Sequence, residues 1–228
     1  MSDNVKQIQA RLKEIGFDPG PIDGEIGPRT ERAIRNFQIV KGLEVDGIVG
    51  PITRRALGLD QVVKVASDPA WMTIARGYLG MREIVGPKHN PEVVEFWQTA
   101  KVPGVNDDET PWCAAFVSAV LEEAGVRSQR TGWARGYLRW GVSSKPFVGA
   151  VVVFERGPKA GHVGFLAGKD RHGNLMILGG NQNNRVSIAP FDDGRVLRGG
   201  YRAPKGFQPA SYDLPILDGD GRLSRNEA

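Results

Sequence analysis

Residues 110–125, TPWCAAFVSAVLEEAG, hold the only cysteine of the chain and read as a buried helix. Thr110 takes the N-cap in this reading, and Pro111 suits the first helical position, where its missing N–H costs nothing. Phe116, Val117, Val120, Leu121 and Ala124 recur at helical spacing, and Gly125 is a natural stop. Cys113 then falls in the first turn. There unpaired backbone N–H groups and the helix dipole favour a thiolate, the form that attacks a carbonyl. The competing reading is core filler, because free cysteine is among the most buried residue types.

On either side of this helix the sequence changes period. Before it come two helical segments, one with Trp71, Ile74, Ala75, Tyr78 and Leu79, the other with Val93, Val94, Phe96 and Trp97. Trp133, Tyr137 and Trp140 mark one more short helix after it. From residue 148 onward the segments are short: a valine-rich apolar run at 148–154, an alternating one at 162–168, an apolar one at 175–180 and another at 186–189, with 199–202 as the candidate to close the sheet. Helices followed by strands predict an α+β domain whose antiparallel sheet packs on the cysteine helix.

The first quarter is different. Residues 22–34, IDGEIGPRTERAI, match residues 45–57, VDGIVGPITRRAL, at an offset of 23. Asp-Gly makes a turn, and Gly-Pro-x-Thr opens a helix carrying Ala33, Ile34 and Phe37. Val5, Ile8, Leu12 and Ile15 form the stripe of a preceding helix. Two copies are too few for a solenoid, so a compact three-helix module with internal pseudo-symmetry is expected. The expected layout is therefore a module at 1–58, a short ordered connector at 59–68 with Val62, Val63 and Val65, a second domain at 69–207 and a tail at 208–228.

At 228 residues and 40% hydrophobic content the chain suits two folded domains. One cysteine excludes an internal disulfide. A net charge of +4 suits an anionic polymer better than nucleic acid. No apolar run reaches the length of a membrane span and residues 1–16 show no secretion signal, so a cytoplasmic product that does not insert in membranes is expected.

A cysteine nucleophile needs a base and a group that orients it. Of the three histidines, His172 lies in a hairpin tip, DRHGN, and His89 in the loop GPKHNP. His162 begins a strand. If the turn centres on Arg171 and His172, His162 faces Asn181; moving it by one residue keeps both on one face, whereas a half-step slip separates them. Asn181 is thus the expected orienting residue, with Gln182 as the fallback.

Residues 4–58 resemble the three-helix type of peptidoglycan-binding module, whose D-G-x-x-G-P-x-T motif they carry twice. The resemblance implies binding of cell-wall glycan or stem peptide, with Asp23, Gly24, Arg29, Asp46 and Gly47 as candidate contacts. Asp and Gly at such places also simply shape turns. PWCAAFV, GHVGF and LGGNQ, in that order, resemble the NlpC/P60 and CHAP superfamily of papain-like amidases and peptidases over residues 69–207. That resemblance implies a papain-like fold and cleavage of a peptidoglycan amide by Cys113, His162 and Asn181. The bond would lie within the stem peptide or between muramic acid and L-alanine. Two positions depart from the family pattern: Gly179 stands where many CHAP relatives have glutamate, and Trp112 where many NlpC/P60 relatives have aspartate. Trp112, Trp133 and Trp140 are candidate cleft residues, although aromatics at helical spacing are more often core; Glu83 and Asn90 are further polar candidates.

A wall-binding module joined to a wall hydrolase resembles a bacteriophage endolysin, a monomer held in the host cytoplasm until the membrane opens and it reaches the wall. No cofactor is expected. Residues 216–227 follow EF-hand spacing weakly, with Asp218, Asp220 and Glu227 as calcium candidates, but Ile216 occupies the first ligand position and a solvated tail is the simpler reading. The acidic run Asp107, Asp108 and Glu109 is a second calcium candidate. The rivals are a zinc amidase using His89, His162 and Cys113, and a non-catalytic wall-binding part of a phage tail or secretion system.

Overall fold

The computed structural model describes residues 2–59, 68–84, 86, 88–217 and 223–224. The chain divides into two compact units, Met1–Val63 and Lys64–Ala228. Residues 60–67, most of the expected connector and all three of its valines, lie outside the described residues.

The first unit contains α1 (Ser2–Glu14), α2 (Pro28–Val40) and α3 (Pro51–Ala56). Ile8, Leu12, Ala33, Ile34, Phe37 and Leu57 form its core, and Phe17 meets Phe37 edge-on at 5.6 Å. Two glutamines, which the repeat alone does not single out, explain how the Asp-Gly turns are held. Gln9 donates to Asp23 Oδ1 at 2.9 Å and Thr30 Oγ at 3.3 Å, and its carbonyl takes the N–H of Gly24 at 2.9 Å. Gln38 repeats this with Asp46 at 2.7 Å, Thr53 at 3.1 Å and Gly47 at 2.9 Å. Each aspartate also accepts the N–H two residues on, from Glu25 and Ile48. Asp23 and Asp46 are therefore turn-shaping residues with Oδ1 already committed, as side chains of this type commonly are.

The second unit begins with α4 (Ala70–Gly77) and α5 (Pro91–Thr99), which pack against α6 (Cys113–Glu123). Every residue of α6 from Cys113 to Leu121 is buried. A helix apolar all round belongs inside a domain, between other layers. Here α4 and α5 pack on it, and it in turn contacts the sheet at the strands Ala160–Lys169 and Leu175–Gly179. Tyr78 and Phe96 meet at 5.0 Å, Phe96 and Phe116 at 5.5 Å, and Phe96 and Trp112 at 5.9 Å, so one aromatic cluster locks the three helices. The short helix expected near Trp133 spans residues 134–139 and is a 3-10 helix.

Six antiparallel strands follow: β1 (Val142–Ser143), β2 (Val151–Arg156), β3 (Ala160–Lys169), β4 (Leu175–Gly179), β5 (Ser187–Phe191) and β6 (Val196–Ala203), in the order β1-β6-β2-β3-β4-β5. The helical segments followed by an antiparallel sheet agree with the α+β expectation. The tail is not simply solvated. Pro215 and Leu217 bracket Lys169 with backbone hydrogen bonds at 2.9 and 2.7 Å, and the Ser224 N–H reaches Pro190 at 2.8 Å. Asp218, Asp220 and Glu227 lie outside the described residues.

At the far end of α6, Glu122 gathers the N–H and hydroxyl of Ser128, both at 3.0 Å, and the guanidinium of Arg130 at 3.0 Å. The Arg130 hydrogen bond, working against burial, holds this carboxyl down at about 2. A depressed carboxyl contributes stability that is complete above the ordinary glutamate range and is lost as pH falls towards 2. Arg130 is partly exposed, so solvent screening leaves the cluster worth ~2 kcal/mol. Glu122→Gln should lower unfolding stability by that amount near neutral pH, and the gap to wild type should shrink as pH falls through about 2 in denaturant titrations.

Candidate active site

Helix α6 begins at Cys113, two residues later than expected. The Thr110 N–H is instead taken by Asp107 Oδ1 at 2.6 Å, and Trp112 occupies the N-cap without a side-chain cap. Cys113 is thus the first helical residue, buried, with the N–H groups of Val163 and Ala114 directed at its sulfur. Val163 follows His162 in β3, so the thiol rests against the histidine strand. Burial pushes the thiol up to about 11, outweighing those two N–H groups and the charge of Arg156. Burial thus works against the thiolate that the helix start favours. Desolvation disfavours the anion more than the helix start favours it.

His162 is wholly buried and stacks on Phe191, with centroids 5.2 Å apart and ring planes 11° from parallel. Its Nε2 lies 3.1 Å from Gln182 Oε1. The amide of Gln182 is oriented by what its nitrogen does: Nε2 donates to the Ser187 carbonyl at 2.8 Å, Ser187 Oγ at 3.0 Å and the Ile177 carbonyl at 3.3 Å. Its oxygen must accept, so Nε2 of neutral His162 carries the proton and Nδ1 is left as the basic nitrogen.

The expected partner, Asn181, does not face His162. Beside the turn, Gly168 pairs with Met176, and a bulge between Leu166 and Gly168 shifts the register so that Phe165 pairs with Leu178. Continued, that register would bring 162 opposite 181. The strand ends at Gly179, however, and Asn181 adopts φ +55, which turns the chain away and folds Gln182 back over the imidazole. Position 179 has no room for a side chain. A Cβ there would stand 2.7 Å from Gln182 Oε1 and 3.1 Å from His162 Nε2, in the space that the orienting amide occupies. Gly180 has a similar constraint, since a Cβ there would stand 2.5 Å from the Trp112 ring.

Asn181 is buried beside Trp112 instead. The Trp112 N–H can only donate, which fixes the amide: Oδ1 accepts from it at 3.2 Å and Nδ2 donates to Glu83 Oε1 at 3.2 Å. The Trp112 indole donates to the same carboxylate oxygen at 2.6 Å and is itself fully buried, so Trp112 is a core residue and offers no cleft surface. Trp140 is also buried, with Nε1 on the Arg127 carbonyl. Trp133 is 54% exposed. It adjoins Arg135, whose guanidinium holds the Ala160 and Gly157 carbonyls at the β2–β3 turn just before His162.

The other sequence candidates have structural partners. Asn90 caps α5 through the Glu92 N–H and donates to the Arg82 carbonyl. Asp108 is buried and accepts from the N–H groups of Ile84 at 2.9 Å and Asn90 at 2.8 Å, with His89 Nδ1 at 2.9 Å. Its hydrogen bond with Asp108 raises the pKa of His89. Among the described residues no group of three or more His, Cys, Asp or Glu could hold a metal ion, so Cys113, His89 and His162 are not gathered as a ligand set. Likewise no helix among the described residues is long and apolar enough to cross a membrane.

The chain thus combines a small helical module with an α+β unit in which a cysteine at a helix start rests on a strand carrying an oriented histidine. Residues 1–57 match the model of a peptidoglycan binding domain, and residues 105–181 match that of the CHAP domain. Together these matches indicate a peptidoglycan hydrolase. The CHAP match stops at Asn181, one residue short of the one that touches the imidazole. No curated protein and no solved structure matches the chain.

Proposed function

We propose that the second unit hydrolyses an amide bond of peptidoglycan through Cys113, with His162 as the base and Gln182 as its orienting residue, while the first unit holds the enzyme on the wall. The observation that carries this reading is the placement of the Cys113 sulfur under the Val163 N–H, beside a histidine whose outer nitrogen is tied to Gln182. With burial disfavouring the free thiolate, the proton passes from sulfur to His162 Nδ1 as the carbon–sulfur bond forms. Backbone N–H groups at the start of α6 stabilise the oxyanion. Imidazolium then protonates the leaving amine, and water, activated by the same nitrogen, releases the acid from the thioester. Exposed Trp133 is the aromatic that this reading offers to the substrate.

A lytic enzyme of a bacteriophage, acting as a monomer on the wall of its host after release from the cytoplasm, is the role that this pairing of domains serves. Mass spectrometry of sacculi digested by the full chain tests the reaction class. The expected products carry a new amine and carboxylate at one amide, either within the stem peptide or at the muramoyl–alanine bond. New reducing sugar ends with intact peptides would overturn the reading.

A further inference from the structure

The cysteine–histidine scheme leaves one carboxylate without a role, and it sits directly behind the site. Glu83 Oε1 accepts the Trp112 indole N–H at 2.6 Å and the Asn181 Nδ2 at 3.2 Å, while Asn181 Oδ1 accepts the Trp112 backbone N–H at 3.2 Å. The three residues close a ring. Two of its members are chain neighbours of the reacting apparatus: Trp112 precedes Cys113, and Asn181 precedes Gln182.

Glu83 is itself rigidly presented. Its N–H donates to the Asn184 carbonyl at 2.9 Å, Gly80 and Met81 exchange backbone hydrogen bonds with Val186, and the next residue, Ile84, is tied to buried Asp108. The segment therefore bridges the loop that delivers Gln182 and the turn that delivers Cys113. Burial raises the Glu83 carboxyl, partly offset by the Trp112 hydrogen bond, with Asp108 and Glu109 adding to the rise. A carboxylate kept in such surroundings marks a site where the acceptor is needed.

We propose that Glu83 is a positioning residue that ties the start of the nucleophile helix to the Asn181–Gln182 loop, and so sets Cys113 relative to His162. The proposal rests on the reading that those two residues carry the reaction. Both donors converge on a single oxygen, which a glutamine carbonyl can reproduce and an alanine cannot. Loss of that acceptor strands the buried indole N–H and frees the loop to shift, and a misplacement of about 1 Å costs on the order of 100-fold in rate.

The test compares the full chain with Glu83→Ala, Glu83→Gln, Trp112→Phe and Cys113→Ala, by rate of dye release from labelled sacculi as the sacculus concentration is varied. Glu83→Ala should lower the maximal rate ~100-fold with little change in half-saturation, and Glu83→Gln should stay within about 3-fold of wild type. Trp112→Phe removes the strongest bond of the ring from the other side and should slow the enzyme ~10-fold, which keeps the test open if the alanine variant does not fold. Wild-type rates in both Glu83→Ala and Trp112→Phe overturn the proposal. So does an equal loss in Glu83→Ala and Glu83→Gln, which would assign the role to charge, and so does a loss that follows the unfolded fraction in thermal melts. A Cys113→Ala variant that still releases dye overturns the underlying reading as well. An inactive Cys113→Ala beside a fully active Glu83→Ala removes only the role of Glu83.

Discussion

Cys113→Ala leaves labelled sacculi intact yet still sediments with them: that is the expected result of removing one sulfur atom. The rate should fall by about 10⁶-fold, the order seen when a hydrolase loses its nucleophile. Stability should change by only ~1 kcal/mol, because alanine removes one buried atom from an apolar site. Binding should persist because the first unit has its own core, built on Leu12, Ile34, Phe37 and Leu57, and no part of it depends on the thiol. The comparison also decides between nucleophile and filler. A filler cysteine replaced by alanine would leave lysis at the wild-type rate, and that outcome would end the catalytic reading. Cys113→Ser should be almost as inactive as alanine, since a hydroxyl in the same dry site is a far weaker acid than a thiol already pushed up to about 11.

His162→Ala should cost about 10³- to 10⁴-fold in rate, because proton transfer both to and from the reacting atoms runs through that ring. The more informative variants are at its orienting residue. Gln182→Leu should cost ~10–100-fold: the imidazole keeps its place against Phe191 but loses the acceptor that fixes its tautomer. Gln182→Glu places a carboxylate beside the ring and should move the acidic limb of the rate–pH profile to higher pH. A purely structural glutamine would leave that limb where it was. If Gln182→Leu keeps full activity, the orienting role does not belong to this residue, and the ring of Glu83, Trp112 and Asn181 becomes the support that matters most.

Much of the architecture was legible as pattern. The doubled Asp-Gly and Gly-Pro-x-Thr turns pointed to a small helical module, and the change of period after residue 147 to a sheet, because turns and amphipathic periods are local properties. The same locality limited the site. Thr-Pro is a good local opening for a helix two residues earlier, whereas Asp107 takes the Thr110 N–H and delays the helix to Cys113. Local pattern leaves Trp112 open between cleft and core, because the partners that hold it in the core, Glu83 and Asn181, are distant in the chain. Gln9 and Gln38 went unnoticed because they lie outside the repeated motif that they hold in place.

By itself the sequence determined which residues were available for chemistry: one cysteine, three histidines, and a turn after β4 where an amide would be. It also placed Cys113 at a helix start and His162 on a strand, since both follow from short-range pattern. Only the tertiary structure decided how they meet. The choice between Asn181 and Gln182 turned on where β4 ends and on a left-handed residue after two glycines, and a one-residue step at a strand end sends a side chain to the opposite side. The protonation state of the thiol was likewise beyond the sequence. Helix position favours the anion locally, but burial depends on α4, α5, β3 and β4 closing around Cys113 from distant parts of the chain, and desolvation is the larger effect.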